Sequence, residues 1–275
     1  DHVKILQILK HKEALLVLQN DTPGDPIFIV NIGDTDANNF QTLATELKKP
    51  TFALVWTDDV ARTDIGSLAS WYLKIIQERV TGPFHVVGYS IGGSVAFEMA
   101  FQSQKGEFNM KTITLVSGSD DLMNALNKDD AETVDSEVTA LCRFVEQFTS
   151  EDTEKLKNEL LKKKNQEERI QIVVKYLTDS SRQTVDKNEL SEAITNYLQK
   201  HKLVLSYIPS GNLSMDINII ECSAKVLAND VTRVKELFAQ VCCGNISIHR
   251  EFYSDQFTKK DVEKIAHILK KCINK

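Results

Sequence analysis

The chain has 275 residues, 42% of them hydrophobic, and a formal net charge of −6 at pH 7. This length fits one large α/β domain with an inserted segment and is enough to bury a substantial core. The acidic balance argues against a general affinity for nucleic acid or anionic lipid, and no apolar run is long enough to predict a membrane span.

The five cysteines are scattered through apolar or amphipathic segments and contain no CxxC pair. This pattern is typical of buried thiols in a reducing compartment, so we predict no disulfide framework, no zinc or other metal site and a cytoplasmic location. No signal peptide precedes the first predicted strand. The start at Asp1 rather than at a methionine indicates a piece of something longer.

Short apolar runs predict seven strands, in chain order Ala14–Leu18, Ile27–Val30, Phe52–Trp56, Phe84–Val87, Ile113–Val116, Ile217–Ile220 and Ile246–Ile248. Helix-period patterns lie between them and after them, at Asn39–Lys48, Ile65–Arg79, Gly93–Gln104, Val231–Val241 and Asp261–Ile273. Strands separated by helices of this length need crossover connections, which favour a mostly parallel sheet. The predicted fold class is therefore α/β, doubly wound, with helices on both faces of the sheet.

A helical block interrupts this alternation, because residues 129–206 have charged, helix-period sequence and no convincing strand. We predict an α/β core made of 1–128 and 207–275, with 129–206 as a helical lid. Its apolar stripes either dock the insertion on the sheet or line an acyl channel over Ser90. They consist of Leu141, Phe144, Val145 and Phe148, and of Ile170, Val173, Val174, Tyr176 and Leu177. The lysine-rich stretch from Leu161 to Asn165 is interpreted as a solvated helix end, with docking to an acidic partner as the alternative.

The strongest motif is the G-x-S-x-G sequence from Gly88 to Gly92, which lies between a predicted strand and a predicted helix. This turn raises a serine nucleophile above the end of a strand, and the glycines avoid crowding around it. We therefore predict Ser90 as the nucleophile and the amide of Ile91 as one oxyanion donor. A serine also needs a base and an acid to activate it.

The elbow and its surroundings resemble the C-terminal thioesterase domain of animal fatty acid synthase, a type I member of the α/β-hydrolase family. The resemblance extends over nearly the whole chain from about Glu13, and rests on Pro26–Val30, Lys49–Leu54, Gly82–Ser90, Ala140–Thr149 and Glu167–Ile170. It implies release of a long-chain fatty acid from the phosphopantetheine arm of an acyl carrier protein, through an acyl-serine. It also implies a place in a larger multidomain synthase, a second oxyanion donor near Gly33, and no further cofactor.

The triad of that family is incomplete in this chain. The acid position, at the end of the strand after the elbow helix, is Ser117, and Asp120 and Asp121 follow it as an ordinary turn or as substitute acids. The loop that should supply the histidine has none, and His249 serves as base only if its strand ends early. Asp34 would place negative charge near the oxyanion hole if it faced inward.

Two functions therefore stay open. The chain is either a fatty acid synthase-type thioesterase with impaired hydrolysis, or a catalytically silent domain that binds acyl chains or carrier domains in a fatty acid or polyketide synthase.

Overall fold

The structure is a computed structural model that describes residues 13–33, 37–57, 64–106, 108–117, 122, 134–146, 148–149, 152–180, 186–222, 231–250 and 259–274. In these parts the seven strands are β1 (Leu15–Gln19), β2 (Ile27–Asn31), β3 (Thr51–Val55), β4 (Phe84–Tyr89), β5 (Met110–Val116), β6 (Ile217–Glu221) and β7 (Ile246–Arg250). All seven predicted strands are present, with ends shifted by up to three residues.

The strands form a single sheet in the order β1-β3-β2-β4-β5-β6-β7. Strand β1 pairs antiparallel with β3, and every other neighbouring pair is parallel. Every residue of β2, β3 and β6 is buried, which explains why these strands read as continuous apolar runs. The predicted α/β-hydrolase fold, with its mostly parallel sheet, is confirmed.

Helices cover both faces of this sheet. On one face lie α2 (Ile65–Arg79), α3 (Gly92–Ser103) and α8 (Val231–Ala239), whose buried residues join one hydrophobic cluster. On the other face lie α1 (Ala37–Leu47) and α9 (Lys259–Ile273), which join a second cluster. Asp64 caps α2, because its Oδ1 accepts a 2.7 Å hydrogen bond from the Ser67 N–H.

The insertion contains four helices within the described residues: α4 (Val134–Glu146), α5 (Glu154–Leu160), α6 (Gln166–Ser180) and α7 (Lys187–Leu205). Their apolar stripes pack against one another, with Phe144, Val173 and Leu177 among the buried members and Phe148 and Tyr176 at the margin. These residues form a hydrophobic core within the helical unit, and both expected uses of the stripes stay predictions. Such a core can form because four amphipathic helices can turn their apolar faces toward a common centre.

The chain divides into two compact units, one made of the described parts of 10–128 and 203–275 and the other of those in 129–202. Each unit has hydrophobic clusters of its own. No described helix is long and apolar enough to cross a membrane.

Candidate active site

Ser90 lies in the turn between β4, which ends at Tyr89, and α3, which begins at Gly92. Its φ is +48°, a left-handed angle that costs a non-glycine residue about 1 kcal/mol. Hydrogen bonds on both sides hold it there: its N–H donates to Val116 O at 2.9 Å, and its carbonyl accepts from the Gly93 N–H at 2.8 Å. The residue therefore has the strained backbone of a nucleophile elbow.

The two glycines of the motif are required by close packing. A Cβ on Gly92 would lie 2.2 Å from the carbonyl oxygen of Val30, and one on Gly88 would lie 2.7 Å from the Cβ of Ala96. Both distances are shorter than any tolerable contact, so no larger residue fits without backbone movement. The sequence prediction that glycine relieves crowding here agrees with this geometry.

The predicted oxyanion donors lie at the same edge of the sheet as Ser90. Ile91 is buried at the amino end of α3, and no backbone carbonyl in the described parts of the chain accepts its N–H. Such amides at a helix start carry partial positive charge and favour an anion. Gly33 follows β2, which pairs with β4 through Val30 and Gly88. Asp34 lies outside the described residues, and both oxyanion assignments stay predictions.

Ser117 lies beside Ser90 at the carboxyl ends of two neighbouring strands. Tyr89 of β4 is in register with Val116 of β5, so Ser90 and Ser117, which follow them, lie side by side at the end of the sheet. Ser117 also has a left-handed φ, of +49°, and donates its N–H to Ile220 O at 2.9 Å. A serine hydroxyl carries no charge at neutral pH and cannot stabilise an imidazolium as a carboxylate does. Asp120 and Asp121 lie outside the described residues.

His249 faces away from the elbow. It lies on β7, three strands from β4, and its Nε2 is 3.7 Å from the Sγ of Cys272 in α9. Successive strand residues point to opposite faces of the sheet, and α9 covers the face opposite α3. With strands spaced roughly 4.8 Å apart, this places β7 about 14 Å from β4. The proposed role of His249 as base stays a prediction, with this placement against it.

The other described histidines also lie elsewhere. His85 is the second residue of β4, at the end of that strand far from Ser90, and its Nδ1 is 2.8 Å from Thr112 Oγ1. His201 stacks on Tyr197 in α7, and His267 is exposed on α9. His2 and His11 lie outside the described residues. Within the described parts of the chain, the Ser90 Oγ has no hydrogen-bond partner.

Glu221 is a candidate acid that the sequence analysis missed. It is buried at the carboxyl end of β6 and is in register with Arg250 of β7. Because Val116 is also in register with Ile220, Glu221 continues the row that begins with Ser90 and Ser117. It lies two strands from β4, or about 10 Å at the usual strand spacing. The available signal was a single charge directly after the apolar run Ile217–Ile220.

The described residues contain no group of three or more His, Cys, Asp or Glu side chains that could hold a metal ion. The fold and the elbow together define a domain of the α/β-hydrolase class. Within that class, the chain belongs to the thioesterase domain family, whose conserved profile matches residues 25–237.

Similar proteins include a polyketide synthase, a nonribosomal peptide synthetase and a type II thioesterase. The chain is 28% identical over 107 residues to the polyketide synthase PksR of Bacillus subtilis (strain 168), a match that covers 37% of this chain and 4% of that protein. The solved structure of holo-AB3403, a four-domain nonribosomal peptide synthetase bound to AMP and glycine, matches with a TM-score of 0.71 and 14% identity, over 94% of this chain and 20% of that one. The type II thioesterase BorB, from the borrelidin biosynthetic cluster, matches with a TM-score of 0.62 and 14% identity, over 96% of this chain and 99% of its own. At these identities the structural likeness concerns the fold alone.

Proposed function

We propose that this domain accepts long-chain acyl groups from the phosphopantetheine arm of a carrier protein in a larger multidomain synthase. Ser90 takes the acyl group as an ester, and hydrolysis of that ester is slow. The observation that carries the proposal is the strained elbow at Ser90, whose hydroxyl has no hydrogen-bond partner among the described residues. Family membership supports the choice of a thioester as substrate.

The first step joins the Ser90 Oγ to the thioester carbonyl carbon and breaks the carbon–sulfur bond. The serine proton passes through solvent to the departing thiolate, which leaves as a thiol. In the second step water adds to the ester and releases a carboxylic acid, which regenerates Ser90. Both steps normally use histidine as the proton carrier. No described histidine is hydrogen-bonded to Ser90, so both steps are slow, and the poorer leaving group makes ester hydrolysis the slower one.

The fatty acid synthase assignment within this proposal rests on the quoted sequence resemblance. PksR and AB3403 are a polyketide synthase and a nonribosomal peptide synthetase, so the synthase in which the domain works is proposed only as carrier-based. A cytoplasmic location fits such a synthase and the free thiols of all five cysteines.

A silent acyl-binding or carrier-binding domain is the second candidate function. It is favoured by Ser117 at the acid position and by the distance of His249 from the elbow. Such a domain would keep the binding surfaces of a thioesterase without transferring the acyl group.

Incubation with palmitoyl coenzyme A tests both candidates. Thiol release is followed with a thiol reagent, and the acyl adduct is followed by intact mass, on the wild type and on Ser90→Ala. The matched control is Ser94→Ala, which removes a fully buried hydroxyl of α3 that has no hydrogen-bond partner among the described residues. We expect an adduct on the wild type and on Ser94→Ala and none on Ser90→Ala.

Thiol release and adduct formation together distinguish acyl transfer from silent binding. One equivalent of thiol followed by a slow steady release supports acyl transfer with impaired hydrolysis. Saturable binding of the thioester with neither adduct nor thiol supports the silent domain. Fast release that survives Ser90→Ala would contradict the role assigned to Ser90.

A further inference from the structure

A cationic loop connects α5 and α6 of the helical unit. We call it the basic loop, defined as Leu161–Asn165, with the sequence LKKKN. Between residues 155 and 164 the chain has five lysines and one glutamate, although the whole chain has a net charge of −6. This stretch is therefore a local region of opposite sign to the rest of the molecule.

The backbone of the basic loop is fixed by hydrogen bonds. The Leu161 N–H donates to Lys157 O at 3.0 Å, and the Lys163 N–H donates to Leu160 O at 3.0 Å. At the far end the Asn165 Oδ1 accepts from the Glu168 N–H at 2.9 Å, which caps the start of α6. A fixed loop loses little conformational entropy when it binds a partner.

Arg169 holds the middle of the loop from inside. Its guanidinium donates through Nη1 to Lys163 O at 2.8 Å and through Nε to Glu137 Oε1 at 2.6 Å. Arg169 is 4% exposed, so its charge is directed to Glu137 rather than to the surface. The arrangement turns the Lys163 carbonyl inward.

The lysines of the basic loop are unpaired within the part of the chain that the structure describes. None of Lys162, Lys163 and Lys164 forms an ion pair with any residue that the structure describes. Leu161, beside them, is 38% exposed, one of three large hydrophobic residues with this much exposure in the described chain. Three free ammonium groups next to one apolar side chain resemble the charged rim and anchor of a protein interface.

We propose that the basic loop is a docking surface for an acidic face of the carrier domain that delivers the acyl group. The inference rests on the proposed function, since it names a partner for the same reaction. Complementary charge would accelerate encounter, and Leu161 would add apolar contact. An anionic membrane fits less well, because one leucine inserts little apolar area and the net charge of the chain is negative.

The test uses the whole 275-residue chain and two substrates with the same acyl group. One is a purified polyketide synthase carrier domain of negative net charge, loaded with a hexadecanoyl thioester, and the other is hexadecanoyl N-acetylcysteamine. The variant carries Lys162→Glu, Lys163→Glu and Lys164→Glu. The control carries Lys74→Glu, Lys235→Glu and Lys260→Glu, three exposed lysines outside the helical unit, and changes the net charge equally.

At 50 mM salt we expect the loop variant to acylate Ser90 from the carrier domain at least tenfold more slowly than the wild type, with a change of less than twofold for the small thioester. In the control variant, the rate of Ser90 acylation should fall less than threefold with either substrate. Fluorescence anisotropy with labelled carrier domain measures binding without chemistry, and here Leu161→Ser should weaken binding at least threefold at low and at high salt. Vesicles with 30% phosphatidylglycerol measure lipid binding.

Three outcomes would overturn the docking proposal. An equal fall in acylation rate in the loop variant and the control would mean that only net charge matters. Unchanged binding of the carrier domain to the loop variant would place the interface elsewhere. Binding to vesicles but not to the carrier domain would make the loop a membrane surface. If no substrate acylates Ser90, the proposed function fails, while the anisotropy arm still decides the docking proposal.

Discussion

At the scale of single residues, the candidate site is an elbow with two left-handed backbone positions. Ser90 and Ser117 both leave their strands at left-handed φ angles, +48° and +49°, on neighbouring strands. Such angles persist only where surrounding contacts over-determine them. The backbone is therefore held in a strained conformation at both positions, and the Ser117 side chain has no negative charge.

Gly92→Ala should lower the free energy of unfolding by about 3 kcal/mol or more, because the new Cβ would meet Val30 O at 2.2 Å. Gly82→Ala is the matched control, since a Cβ there has nothing within 4 Å and the change should stay within about 1 kcal/mol of wild type. Urea unfolding followed by circular dichroism measures both. Equal effects would contradict the packing argument.

His85 should make stability depend on pH. Burial above all, with the nearby charges of Lys49 and Lys111, lowers its pKa to about 4, although Asp25, whose Oδ2 is 3.9 Å from the His85 Nε2, acts in the opposite direction. The pKa of Asp25 is itself lowered, mainly by a hydrogen bond from Lys111. Between pH 6.5 and pH 4, His85 is protonated in the unfolded chain but neutral in the folded chain. The free energy of unfolding therefore falls as the pH drops from 6.5 toward 4.

The expected loss from this histidine is about 2 kcal/mol between pH 7.5 and pH 5. His85→Gln cannot titrate but keeps a hydrogen-bonding group near Thr112, so its unfolding free energy should fall less over the same range. Urea unfolding at the two pH values provides the comparison. Parallel pH dependence in the two proteins would mean that other groups cause the loss.

At the scale of elements, the buried carboxylate of Glu98 in the elbow helix α3 is hydrogen-bonded to the segment that follows α7. Glu98 is 1% exposed and accepts hydrogen bonds from Tyr207 Oη at 2.6 Å, Ser210 Oγ at 2.8 Å and Gln102 Nε2 at 3.1 Å. Gln102 also donates to Gly66 O at 2.9 Å, which adds the start of α2 to the network. Burial and the negative charge of Glu98 raise the pKa of Tyr207, so its hydroxyl stays a donor.

Tyr207→Phe should lower the free energy of unfolding by about 2 kcal/mol, because its hydrogen bond goes to a charged acceptor. Tyr72→Phe is the matched control, since the buried Tyr72 hydroxyl donates to the neutral carbonyl of Val55 at 2.9 Å and should contribute about 1 kcal/mol. A double-mutant cycle with Glu98→Ala should give a coupling above about 1 kcal/mol for Tyr207. No measurable coupling would contradict the network.

At the scale of the whole molecule, the chain has separate hydrophobic cores in two units. The sheet and its helices hold two clusters, and α4 to α7 hold another. Separate cores can lose structure in separate steps, since a cooperative unit is defined by the contacts that its members share. Stability measured for one unit therefore does not describe the other.

Leu177→Ala should reduce hydrogen-exchange protection in α4 to α7 by about 2–4 kcal/mol of opening free energy and leave the sheet amides unchanged. Leu54→Ala, an equally buried leucine of β3, should show the reverse pattern. Hydrogen exchange followed by mass spectrometry resolves the two sets of peptides. Equal loss of protection in both units would show one cooperative core.

The fold could be predicted from sequence because each strand and helix is marked by its own local pattern. The seven apolar runs and the helices between them agree with the structure to within a few residues, and Gly88 and Gly92 marked the elbow. The candidate site was predictable only in part. The G-x-S-x-G motif predicted Ser90 and the family resemblance pointed to Ser117, whereas no motif pointed to Glu221 at the end of its strand.

The sequence by itself determined the α/β architecture, the strand–turn–helix around Ser90 and the helical nature of the insertion, because periodicity and glycine placement act over a few residues. The tertiary structure alone decided that His249 faces Cys272, that Ser90, Ser117 and Glu221 share one row, and that the insertion has its own core. These features depend on strand register and on which face of the sheet a side chain occupies, and both are set by segments far apart in the chain. A local pattern of residues does not determine which distant strand or helix becomes a neighbour.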